Sequence, residues 1–85
     1  MPDEKKIGDV VHYFTKIGVA IIKLSNTLKI GDTVHIKGST TDFVQKVDSM
    51  QVEHENVETA KKGQSIGLKV KEKVREKDEV YKVAK

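Results

Sequence analysis

Four basic residues recur at alternate positions late in the chain: Lys69, Lys71, Lys73 and Arg75. Alternate side chains of an extended segment share one face. A strand from Ile66 to Val74 therefore presents this row outward while Leu68 and Val70 enter the core. Such a row can follow a phosphate backbone or an acidic partner, and it is the candidate binding stripe of the chain. Interleaved Glu72 and Glu76 argue for the plainer alternative, a solvated strand face with lysines guarding a sheet edge.

Other residues with chemical capability fall short of a catalytic pattern. His12, His35 and His54 lie on three different strand candidates, and no ligand-spacing signature of a metal site links them. Glu53 and Glu55 share one strand face, but a carboxylate pair for acid–base work needs a pocket that separates their environments. Ser49 and Thr40 have no base at motif spacing. The absence of Cys removes thiol nucleophiles, disulfides and cysteine-ligated zinc. Of the four aromatics, Phe14 and Phe43 are expected in the core, and Tyr13 or Tyr81 at the surface. No catalytic residue, metal or cofactor is expected.

The elements that must position these groups are short strands. Ile7–Phe14 and Ile17–Leu24 form a hairpin around Thr15-Lys16, with Gly8-Asp9 marking a bulge or a close backbone approach. Gly31-Asp32 is turn chemistry, since Gly reaches positive φ at low cost and Asp hydrogen-bonds nearby backbone. It launches a third strand in which Val34 and Ile36 alternate with polar residues. Residues 43–54 form a long fourth strand with Phe43, Val44, Val47, Met50 and Val52 as apolar members, and its phase slips near Asp48-Ser49. Asn56 to Gly63 carries helical punctuation sufficient for one turn. Ile66–Val70 and Val80–Val83 are the fifth and sixth strands.

With 85 residues, 16 Lys plus Arg against 13 Asp plus Glu and a net charge of +3, the chain is one small, mildly basic domain. That field is weaker than a dedicated nucleic-acid binder shows. The longest apolar run, Gly18 to Ile22, is too short to cross a bilayer, and the N-terminus lacks the apolar stretch of a signal peptide. A cytoplasmic protein with no membrane contact is expected. No GxxxxGK[ST] loop is present, so GTP binding is not expected.

Two families are similar to this pattern. Leu28-Lys29-Ile30-Gly31-Asp32-Thr33-Val34, Val47-Asp48-Ser49-Met50, Val57, Ala60, Gly63, Ile66-Gly67-Leu68 and Asp78-Glu79-Val80 follow one another as in the second domain of translational GTPases. Over Ile7 to Val83 the chain resembles that domain of elongation factor Tu and its relatives. Gly8-Asp9-Val10-Val11-His12-Tyr13-Phe14, Ile17-Gly18-Val19-Ala20, Thr40-Thr41-Asp42-Phe43 and Ser49-Met50-Gln51-Val52-Glu53-His54 resemble the small C-terminal barrel of collagenase-like peptidases. Some of those enzymes are linked to RNA modification. In the tRNA-carrying relatives the barrel helps hold the aminoacylated 3′ end beside an acidic residue. The matching position here is Gln51, which keeps hydrogen-bonding atoms without the charge, and the hairpin connection at Thr15-Lys16 is shorter.

These resemblances imply an all-β fold, a small closed six-stranded β-barrel of the translation-protein second-domain type. Residues 1–6 are expected as a flexible N-terminal segment and 7–85 as the single domain, in a free-standing small protein. The implied function is a non-catalytic, elongation factor-like binding module that associates with tRNA, rRNA or a translation-associated protein. Lys69, Lys71, Lys73, Arg75 and Gln51 are its contact residues. The alternative is a protein–protein interaction module partnering a separate peptidase-like or RNA-modifying enzyme.

Overall fold

The structure is a computed structural model that describes residues 4–53 and 55–83. Ten strands follow in order: β1 Glu4–Phe14, β2 Val19–Leu24, β3 Leu28–Lys29, β4 Thr33–Lys37, β5 Asp42–Lys46, β6 Met50–Val52, β7 Glu55–Val57, β8 Thr59–Ala60, β9 Ser65–Lys69 and β10 Glu79–Val83. Among the described residues there is no helix. Asn56 to Gly63, expected as a helical turn, is instead β7, β8 and the start of a tight turn. No helix long and apolar enough to cross a membrane is present among these residues.

Eight strands pair antiparallel in the order β5-β4-β10-β1-β2-β9-β6-β7, and β3 pairs with β8 as a separate ribbon. Among the described residues no sheet closes into the expected six-stranded barrel, and the expected fourth strand is divided in two. Along β5 burial alternates strictly, with Thr41, Phe43, Gln45 and Val47 inward and Asp42, Val44 and Lys46 outward. Val44, expected among the apolar core members, is accordingly 52% exposed. At Asp48-Ser49 the chain leaves β4 and resumes as β6 against β9, so β5 and β6 are halves of one bent segment pairing in different places.

The bend leaves a gap where β6 would continue along β9. Gln45 fills it: its Nε2 donates to the Lys69 carbonyl and its Oε1 accepts from the Lys71 amide, both at 2.9 Å. A buried carboxamide thus stands in for a missing ladder residue. Val47 holds the other side through backbone bonds with Gly31 and Asp32.

β1 begins at Glu4, so Glu4–Lys6, expected ahead of the domain, are ladder residues opposite Val83, Lys82 and Tyr81. A Cβ on Gly8 would lie 2.7 Å from the Lys23 carbonyl oxygen, which confirms the close approach expected there. The register also shifts between Val10 and His12 against β2. Val11 is the extra residue of this bulge, and it reverses the alternation beyond it. Without it Val10, His12 and Phe14 would share the core face. With it Tyr13 turns toward the core and Phe14 faces out, 44% exposed, contrary to the expectation for Phe14.

One turn geometry occurs three times, over Lys29–Asp32, Lys61–Gln64 and Arg75–Asp78. In each, the first amide donates to the fourth side chain at 2.9, 2.7 and 2.8 Å respectively, and the fourth amide donates back to the first carbonyl at 3.1 Å. The third residue has positive φ: Gly31 95°, Gly63 90° and Lys77 77°. Positive φ at the third position requires glycine or a strained substitute.

Gln45→Leu keeps the volume but leaves the Lys69 carbonyl and Lys71 amide without their partner. It is expected to cost about 2 kcal/mol, read as a lower urea midpoint at unchanged slope. Gly63→Ala is expected to destabilise by about 1 kcal/mol, whereas Lys77→Gly at the equivalent position is expected to be neutral or stabilising in the same assay.

Candidate functional site

The reversed alternation at the end of β1 creates an outward face across β1, β2, β9 and β6. His12 pairs with Ile21, Ile21 with Gly67 and Gly67 with Gln51, a single row across four strands. The neighbouring row sets Phe14 opposite Val19 and Val19 opposite Lys69. Gly67 puts no side chain in the middle of the first row, so the surface dips there. Phe14, Ile17, Val19, Ile21, Gln51 and Glu53 line most of the resulting groove, whose volume is about 310 Å³.

Its walls are apolar and its rim is polar. Ile17, in the turn between β1 and β2, is 62% exposed, and Phe14 stands beside it. The His12 and Phe14 rings meet edge-on at 4.4 Å between centroids. Gln51 Nε2 donates to Asn56 Oδ1 at 3.1 Å. Glu53 sits at the tight turn between β6 and β7 with a φ of 51°, a conformation uncommon for a residue with a side chain. Glu53 thus lies in the turn after β6 and Glu55 opens β7, so the two do not share one strand, contrary to the expectation from the sequence pattern.

The opposite face, over β5, β4, β10 and β1, is ionic. His35 Nδ1 lies 2.6 Å from Glu4 Oε2 and its Nε2 lies 2.5 Å from Asp42 Oδ1. A neutral imidazole has one donor nitrogen, so carboxylates at both nitrogens call for the doubly protonated cation. Its pKa is raised by Asp42 and Glu4 against the opposing effect of burial. The Glu4 carboxyl is held below its usual range by His35 first and Lys37 second. Lys37 Nζ reaches Glu4 at 3.0 Å and lies 5.1 Å from the centre of the Tyr81 ring. Tyr81 donates to Glu79, and Lys6 bridges Glu79 and Asp9.

The expected basic row does not form as drawn. β9 ends at Lys69, so the premise of one extended strand to Val74 fails. Lys69 and Lys71 remain together and meet Lys46 and Ser49 at the β5–β6 bend, whereas Lys73 and Arg75 lie on the loop beyond. His12 is paired with Glu76 and His35 with two acids, on different faces. The reading of His54 falls outside the described residues. Among the described residues no group of three or more His, Asp or Glu is placed to hold a metal ion. Sequence reasoning missed the groove, although the Val10-Val11 doublet was a signal for the bulge that turns Phe14 outward.

The fold is one already seen in crystals. It superposes on the C-terminal domain of a Geobacillus thermoleovorans protein described as a U32 peptidase, with a TM-score of 0.86 and 23% identity, covering 92% of this chain and 91% of that one. The selenomethionine variant of the same domain gives 0.85, also at 23% identity, over 89% of this chain and 96% of that one. In sequence, an uncharacterised protease of Methanocaldococcus jannaschii is 51% identical over 77 residues, which are 89% of this chain and 19% of that protein. A collagenase of Porphyromonas gingivalis is 43% identical over 81 residues, 93% of this chain and 22% of its own length. No family model matches. The chain spans about a fifth of the length of the curated relatives it matches. Of the two resemblances read from sequence, these similarities support the collagenase-like peptidase domain and not the elongation-factor barrel.

The ionic face makes stability depend on pH. His35 has a folded-state pKa above its ordinary 6.5, so its contribution is complete below that value and is lost as pH rises through the folded pKa. Glu4 has a folded-state pKa below its ordinary 4.5, so its contribution is present above that value and is lost as pH falls through the folded pKa. Urea midpoints measured from about pH 5 to about pH 9 are expected to fall on the alkaline side, where histidine gives up its proton. His35→Gln is expected to flatten that limb.

Proposed function

We propose that the chain is a non-catalytic docking module for a peptidase-like enzyme, which it contacts through the groove of Phe14, Ile17, Val19 and Ile21. The observation that carries this reading is the pairing of two exposed large apolar side chains, Phe14 and Ile17, with the dip at Gly67. Exposed apolar surface rimmed by polar groups is characteristic of protein contact sites. The occupant is argued from the comparisons: the matched segment is about a fifth of each relative, so in those proteins it belongs to the same chain as a much larger remainder. The proposed occupant of the groove is a peptidase-like protein of the kind that remainder represents.

The partner surface carries an apolar anchor for the Phe14–Ile17 wall, with donors facing Gln51 and Glu53. An apolar contact of this kind depends little on salt, unlike the steeply salt-sensitive binding of a nucleic acid.

The test uses the P. gingivalis collagenase with its matched segment deleted, titrated with this chain by calorimetry. Saturable binding that changes little with salt is expected. Ile17→Ser is expected to weaken it at least tenfold, since a buried aliphatic side chain contributes about 1.5–3 kcal/mol. Gly67→Ala places a methyl in the dip, where its Cβ would meet Val19 Cγ1 at 3.4 Å and Ile21 Cδ1 at 3.7 Å. It is expected to weaken binding with little change in the urea midpoint. Binding indifferent to both substitutions, or no binding, overturns the proposal.

A further inference from the structure

The parting of β5 and β6 leaves a second concavity, separate from the groove. It has a volume of about 230 Å³ and is lined by Gln45, Lys46, Asp48, Ser49, Lys69, Val70 and Lys71. Its floor is fixed, because the Gln45 carboxamide is tied to the backbone on both sides of Val70. Lys46 precedes the bend, and Lys69 and Lys71 face outward on either side of buried Val70. Ser49 adds a hydroxyl.

Three lysines of the surface are held in ion pairs and, among the described residues, most of the others are not. Lys6 is paired with Asp9 and Glu79, Lys37 with Glu4, and Lys82 with Asp32. Among the described residues Lys46, Lys69 and Lys71 take part in no ion pair, yet all three line one small pocket that holds a single carboxylate, Asp48. An anion in this pocket is attracted by three cationic side chains and opposed by one carboxylate.

We infer that this pocket is an anion site for a single phosphate group, held by Lys46, Lys69 and Lys71 with the Ser49 hydroxyl as a further donor. Three cations against one acid suit a doubly charged phosphate monoester or inorganic phosphate better than a singly charged ion. The pocket is a point site and not a track. The basic row that could follow a nucleic-acid backbone is interrupted where β9 ends, and Lys73 and Arg75 do not line the pocket. The site does not depend on the groove or on its proposed partner.

Inorganic phosphate is the probe, titrated into the full chain at constant ionic strength and followed by amide chemical shifts. Saturable shifts at Gln45, Ser49, Lys69 and Lys71 are expected, with a dissociation constant on the order of 1 mM. Lys46→Ala and Lys69→Ala are each expected to weaken binding roughly fivefold, as for a partly exposed ion pair. Arg75→Ala, outside the pocket, is expected to leave it unchanged. A phosphorylated serine peptide and a single-stranded RNA lacking terminal phosphates form the remaining arms. Binding of the peptide through the same amides supports the site. Tighter binding of the RNA than of phosphate, lost in Arg75→Ala, overturns it in favour of a backbone track. Shifts that do not saturate, or that ignore the lysine substitutions, overturn it as well.

Discussion

A strand that pairs with one neighbour along its first half and another along its second cannot remain straight. The segment from Asp42 to Val52 is such a strand, and the arrangement of the sheet turns on its bend at Asp48-Ser49. Bending separates two ladders that would otherwise be continuous, and separation leaves backbone donors and acceptors without partners. Gln45 meets that cost with a planar carboxamide that uses one N–H as donor and its oxygen as acceptor, the pattern a peptide group would offer. A glutamate there has no donor and a leucine has neither. The identity of this residue is therefore set by hydrogen-bond geometry, although its position is that of a core side chain.

The bulge at Val11 does comparable work at the other end of the molecule. One additional residue in β1 exchanges the faces of everything up to the hairpin turn. It sends Tyr13 inward opposite Ala20 and Phe14 outward opposite Val19. The exposed aromatic is thus a consequence of register, and the bulged backbone is stitched on its free side to the last turn through Val10, Lys77 and Asp78. Asp78 also explains Gly38: a Cβ there would collide with its carboxylate, so the turn fits only against a residue without a side chain. The surface that carries Phe14 and Ile17 is held by the same bonds that hold the fold.

What could be read from the sequence was whatever depended on alternation or on glycine. Val34 and Ile36, Ile66 and Leu68, and the Gly31-Asp32 turn declared themselves, and the phase slip at Asp48-Ser49 marked the true bend. What could not be read depended on a single side chain acting against its type. Lys77 adopts the conformation that Gly31 and Gly63 adopt in equivalent turns, so the third copy of that turn carried no glycine to announce it. Gln45 carries no sequence signal that separates a bridging carboxamide from an ordinary polar residue of a strand. Phe14 looked like core because aromatic residues in small domains usually are. The helical reading of Asn56 to Gly63 rested on capping residues alone, and the ladder to Met50 and Leu28 outweighed it.

The two broad faces differ in how completely their groups are satisfied, and this difference bears on which one meets a partner. Over β4, β10 and β1 the charged side chains are matched: His35 by two acids, Lys37 and Lys6 by carboxylates, and Tyr81 by Glu79. A partner binding there would have to break existing pairs before forming new ones, so most of its gross interaction would be returned as desolvation. Over β2, β9 and β6 the surface offers apolar area that water solvates poorly, a dip kept open by Gly67, and a rim with spare hydrogen-bonding capacity. Covering it removes apolar surface from water and disrupts none of the ion pairs. On energetic grounds the second face is the better suited to the association proposed, and the ion pairs of the first join the early strand to the sheet.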